Sequence, residues 1–103
     1  MLVELTIIPI GTGAHLADQL ADIVGIVDRS GLPYELTPSG TCIEGEWDEV
    51  MSVVHRCHEQ ARISADHIQT LISIEDEKNE KNKLHWNIEA LEKRLGHPLR
   101  RQH

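Results

Sequence analysis

Phenylalanine is absent from this sequence, and aromatic residues make up only 3% of it. Any core must therefore be built from Ile, Leu, Val and Ala. Positive charge is also scarce: ten Lys and Arg stand against seventeen Asp and Glu, a formal charge of −7. Nucleic-acid binding leaves a basic footprint, and this chain has none. The same deficit argues against an anionic membrane surface. No apolar run approaches the roughly 18–20 residues of a membrane span. The opening Met-Leu-Val-Glu-Leu-Thr lacks the basic region of a secretory signal, so a cytoplasmic protein is expected. Only two cysteines occur, Cys42 and Cys57. Their spacing fits no zinc motif, and without an export signal free thiols are expected. Internal repeats and low-complexity segments are missing as well.

What is present fits one domain. A chain of 103 residues buries roughly 60–70% of its unfolded surface, and oligomerisation would add to that. Val3, Leu5 and Ile7 alternate with Glu4 and Thr6, the period-two pattern of a half-buried strand. Pro9 and the group Gly11-Thr12-Gly13 end it. Leu16, Leu20, Ile23, Val24 and Val27 recur at helical spacing until Ser30-Gly31 and Pro33. Tyr34–Thr37 and Thr41–Glu44 form a hairpin around Pro38 and Gly40. A second helix is expected from Trp47 to about Arg62, with Trp47, Val50, Met51, Val54, His58 and Ala61 on one face. His67–Glu75 is a fourth strand, with Ile68, Thr70, Ile72 and Ile74 on one side. The charged run Glu75–Lys83 is a loop. Leu84, Ile88, Leu91 and Leu95 mark a last amphipathic helix, stopped by Gly96 and Pro98.

This order is β-α-β-β-α-β with a terminal helix. It predicts an α+β fold of ferredoxin-like type: a four-stranded antiparallel sheet, two helices on one face and a C-terminal helix. The expected domain covers residues 1–97, with 98–103 as a tail. The second sheet face, bearing Glu4, Thr6, Ile8, Gln69, Leu71 and Ser73, has no helix of its own from the core motif. A dimer or tetramer is therefore expected.

The chemistry concentrates in Thr37-Pro-Ser-Gly-Thr-Cys-Ile-Glu-Gly-Glu-Trp47. Glu44 and Glu46 lie near a strand-to-helix junction, with the hydroxyls of Thr37, Ser39 and Thr41 close by in sequence. The set could bind a cation, accept from an amino-heterocycle or act as an acid/base pair. The bland alternative is a strand-end carboxylate, a helix-start carboxylate suited to the dipole and ordinary turn hydroxyls. His55 and His58, spaced i, i+3, could share a metal, but no third ligand follows. No metal, cofactor or catalytic residue is therefore expected. Gly11-Thr12-Gly13 lacks the longer glycine fingerprint and lysine of a phosphate loop, and no nucleophilic triad can be assembled.

Three blocks carry a resemblance: Val3-Glu-Leu-Thr-Ile-Ile-Pro-Ile-Gly-Thr-Gly13, Ser30-Gly-Leu-Pro-Tyr-Glu-Leu-Thr-Pro-Ser-Gly-Thr41 and Ile43-Glu-Gly-Glu-Trp-Asp-Glu-Val-Met51. In this order, and as far as about Ile74, the chain resembles the small YkoF-like thiamine-binding proteins. The run Asp76–Lys83 departs from the basic segment usual there. The resemblance implies a ferredoxin-like fold, assembly into dimers and tetramers through the sheets, and binding of thiamine or its hydroxymethylpyrimidine part without catalysis. It implies Thr37, Ser39, Thr41, Glu44 and Glu46 as pocket residues. An aminopyrimidine presents an amine donor and ring-nitrogen acceptors, which carboxylates and hydroxyls complement. The rival expectations are a homo-oligomeric interaction module without a small ligand, and a small enzyme using Glu44 and Glu46.

Overall fold

A computed structural model describes residues 1–11, 16–78 and 92–97. Its elements are β1 (Leu2–Pro9), α1 (Leu16–Arg29), β2 (Tyr34–Thr37), β3 (Gly40–Glu44), α2 (Trp47–Ser64) and β4 (Ile68–Glu75). The four strands form one sheet in the order β2-β3-β1-β4, and every neighbouring pair is antiparallel. This is the ferredoxin-like α+β arrangement the pattern predicts, with both intervening helices on one face. Residues 92–95 are helical. The rest of the expected C-terminal helix, its Leu84, Ile88 and Leu91, and the tail 98–103 lie outside the described residues.

The register explains how the alternating pattern becomes two unlike faces. Val3 stands opposite Ile43 and Ile74, and Leu5 opposite Thr41 and Ile72. Directly opposed residues share a face, so these side chains all point toward the helices. Val3, Leu5, Ile7 and Ile43 are buried there, against Ile23 and Val27 of α1 and Val50, Val53, Val54, Cys57 and Ala61 of α2. A fully buried aliphatic side chain of this kind contributes roughly 1.5–3 kcal/mol. The other face carries Glu4, Thr6 and Ile8 of β1 opposite Ser73, Leu71 and Gln69 of β4, as expected. Ile8 and Leu71 stay 40% and 50% exposed on it.

Two helix faces are turned relative to expectation. In α2 the buried stripe runs through Val50, Val53, Val54, Cys57 and Ala61, while Trp47 is 55% exposed at the first turn. His58 sits at the edge of that stripe, half-buried, where its Nδ1 is 2.7 Å from the Thr70 hydroxyl of β4. In α1 only Ile23 and Val27 are fully buried; Leu16 and Leu20 remain exposed.

The connections are set locally. The Ser30 hydroxyl donates to Val27 O at 2.6 Å and accepts the Leu32 N–H at 3.2 Å. Gly31 follows at φ +79°, a left-handed conformation that glycine adopts without a Cβ penalty. The Tyr34 hydroxyl then donates to Asp28 Oδ1 at 2.7 Å and clips the start of β2 to the end of α1.

Candidate functional site

A cleft of about 330 Å3 opens between α1 and the β2–β3 hairpin. Its origin is incomplete cover: α1 buries Ile23 against the sheet but leaves Leu20 and Leu36 39% and 41% exposed. Leu5, Ile7 and Leu36 from the sheet and Leu20, Ile23 and Val24 from α1 form apolar walls. The hairpin turn closes one end with Thr37, Pro38, Ser39, Gly40 and Thr41, and Thr6 joins from β1. No charged side chain lines the cleft among the described residues. Its size falls within the range of small-molecule pockets.

The turn end is held by its own hydroxyls. Thr37 Oγ1 accepts the Gly40 N–H at 3.1 Å, donates to Gly40 O at 3.0 Å and lies 3.3 Å from Ser39 Oγ. The Thr6 hydroxyl donates to Ser39 O at 2.7 Å. Ser39 Oγ reaches Glu4 Oε1 at 3.5 Å. Gly40 makes this closeness feasible. A Cβ there would stand 2.6 Å from both Leu5 O and Thr6 Oγ1, so β1 and the turn could not approach as they do. Thr41 is buried on the helix side of β3 and lines the cleft directly.

Glu44 and Glu46 are placed elsewhere. Three residues separate Thr41 from Glu44, roughly 10 Å along a strand, and an odd separation puts them on opposite faces. Glu44 belongs to a smaller hollow of about 230 Å3, with Met1, Leu32, Pro33, Gly45, Glu46 and Glu49. Glu46 is the N-cap of α2, and its N–H donates to Glu49 Oε1 at 3.2 Å, one half of a capping box. Glu44 is 7% exposed, and its Oε2 has no hydrogen-bond partner. The structure thus brings Thr37, Ser39 and Thr41 to one end of the cleft, Thr41 from the helix side of the sheet and the Thr37 and Ser39 hydroxyls toward Glu4 on the other face, and sets Glu44 and Glu46 apart from them.

Several cleft residues carried no mark in the linear pattern. Thr6 meets Ser39 only through the β1–β3 pairing, which the strand alternation alone does not align. Leu20 and Val24 were legible as members of an apolar stripe, but a stripe does not say which of its members the sheet leaves uncovered.

The remaining candidates resolve as follows. His55 is exposed, with Nε2 3.7 Å from Glu59 Oε1, and His58 bonds Thr70. Among the described residues no group of three or more His, Cys, Asp or Glu is placed to hold a metal ion. Both cysteines are free thiols. Burial pushes the Cys57 thiol up to about 11. Cys42 is also raised, first by burial and then by the nearby Glu4 and Glu35 charges. Thr12 and Gly13 of the glycine group lie outside the described residues. No described helix is long and apolar enough to cross a membrane.

Fold and cleft together define a small ferredoxin-like domain with a cleft between α1 and the β2–β3 hairpin. The sequence pattern of the thiamine-binding protein family matches residues 3–92, and the chain belongs to that family. UPF0045 protein YqgV of Bacillus subtilis is 34% identical over 100 residues, covering 91% of this chain and 96% of the relative. The solved structure of protein MJ1052 from Methanocaldococcus jannaschii superimposes with a TM-score of 0.80 at 23% identity, over 87% of this chain and 93% of that one. A Thermotoga maritima protein provisionally assigned to thiamine biosynthesis or salvage gives 0.73 at 20% identity, over 84% and 94%. Identities this low speak to the fold.

Proposed function

We propose that the protein is a non-catalytic binding protein for thiamine or its hydroxymethylpyrimidine part, and that the α1–hairpin cleft receives the pyrimidine. The carrying observation is the cleft itself: apolar walls closed at one end by the turn Thr37–Thr41, with Thr41 on the cleft side of β3, in a chain of the thiamine-binding family. A flat heteroaromatic ring suits walls of Leu20, Val24 and Leu36. Its amine and ring nitrogens suit hydroxyls, which both donate and accept. The thiazolium of thiamine would then face the mouth, where the net charge of −7 favours a cation. No titratable side chain lines the cleft among the described residues, which supports binding over catalysis.

Calorimetry with thiamine, its phosphates and hydroxymethylpyrimidine tests this reading. Thr41→Val keeps shape and removes one neutral hydrogen bond of about 0.5–1.5 kcal/mol, so affinity should fall about two- to tenfold. No heat from the wild-type protein with any of these compounds at millimolar concentration overturns the ligand assignment.

A second reading concerns the open sheet face. Exposed Ile8 and Leu71 beside Glu4 and Thr6 support self-association through that face, as dimer or tetramer. That assembly accompanies ligand binding in the proposal and would stand alone if binding failed.

A further inference from the structure

We infer that the hollow at the far end of β3 is a second binding site, for a small organic cation bearing N–H donors: an alkylammonium or guanidinium group held by Glu44. The inference rests on a carboxylate for which the fold has no use of its own. Glu44 is more than nine-tenths buried and lines the hollow. Its Oε2 is shielded from water and accepts no hydrogen bond. A buried carboxylate oxygen without a partner is costly, and a donor in the hollow, met by a small turn of the Glu44 carboxylate, would answer its charge.

The surroundings fix the sign and shape of the partner. Glu44, Glu46, Asp48 and Glu49 fall within six residues, and among the described residues no Lys or Arg forms an ion pair with any of them. The capping box occupies Glu46 and Glu49 with the α2 terminus, which blunts the positive end of that helix and leaves the mouth negative. Leu32, Pro33 and the Met1 side chain form an apolar wall against which an aliphatic stem can lie, and the Met1 α-ammonium sets one positive charge against the carboxylates of Glu44, Glu46 and Glu49 in the same lining. A bare divalent cation fits less well: it takes several oxygens at once, and no group of three or more ligating side chains is placed for one among the described residues. The hollow lies at the other end of β3 from the pyrimidine cleft and shares no lining residue with it, so this site does not depend on that assignment.

The test is titration of the full chain with n-butylammonium and with agmatine at constant ionic strength. Tetramethylammonium, which has no N–H, and Mg2+ and Ca2+ serve as comparisons. Butylammonium and agmatine should bind at one site per chain, and tetramethylammonium at least about tenfold more weakly. Glu44→Gln should lose at least about tenfold in amine affinity while keeping pyrimidine affinity. Glu59→Gln, an exposed change in the middle of α2 and away from both sites, should keep both. Thr41→Val should weaken the pyrimidine and leave the amine untouched. Amide NMR of wild-type protein gives a reading independent of any variant: butylammonium should shift Leu32, Glu44, Gly45 and Glu46 and leave Thr37–Thr41 in place. Equal binding of tetramethylammonium, an unchanged Glu44→Gln, shifts centred on the cleft, or tight Mg2+ or Ca2+ binding that displaces the amine would each overturn the proposal.

Discussion

Cys57 shows how one side chain records its surroundings. Its sulfur is fully buried beneath α1, 3.7 Å from Ile23 O, and burial raises its pKa from 9.0 to about 11. The unfolded chain therefore releases this proton first. Between about pH 9 and pH 11 the native state holds more protons than the unfolded one, so stability is intact below that window and falls as pH rises through it. Urea midpoints measured from pH 7 to 11 should show this fall, and Cys57→Ala should flatten it. Because the thiolate is the nucleophile, native Cys57 should resist iodoacetamide at neutral pH and label only on unfolding. The His58–Thr70 contact makes a second residue-scale prediction. Thr70→Val removes the hydroxyl while keeping the branched shape, and should cost about 0.5–1.5 kcal/mol by urea denaturation.

At the scale of elements, the β1–β3 approach depends on Gly40. Gly40→Ala drives a methyl into Leu5 O and the Thr6 hydroxyl, so a loss of about 1–3 kcal/mol is expected, together with weakened pyrimidine binding because the turn end is displaced. Circular dichroism and calorimetry on the same variant separate the two effects. The elements themselves were largely legible: alternation in Val3–Ile7, the Ser30-Gly31 stop, the Pro38 turn and the apolar spacing after Trp47 all correspond to observed structure. The finer faces were not. Trp47 fits the helical period, yet at the first turn of α2 it stays exposed, and Val53 and Cys57 take buried positions. The candidate set Thr37–Glu46 is contiguous in sequence, but the extended strand carries Thr41 and Glu44 to opposite faces about 10 Å apart. Adjacency along the chain does not show that separation; the period-two alternation of the strand does.

At the scale of the whole molecule, the uncovered sheet face predicts assembly. Light scattering at micromolar concentration should give two or four times the 11.6 kDa chain mass, and Leu71→Glu should shift it toward the monomer. A wild-type monomer would end this reading. The strand order β2-β3-β1-β4 also bears on how the chain reaches its fold. β1 leaves the ribosome before the other three strands and is an interior strand of the sheet, yet one of its partners, β4, comes some sixty residues later. Leu2 cannot meet Glu75 until nearly the whole fold has been synthesised. Such distant pairings are slow, since a long loop must close before any contact rewards it. In the interval β1 presents an unpaired edge with Val3, Leu5 and Ile7 along it, a template for pairing with another nascent chain. Chains truncated before Ile68 should accordingly aggregate, and expression at lower temperature or slower synthesis should raise the soluble yield of the full chain.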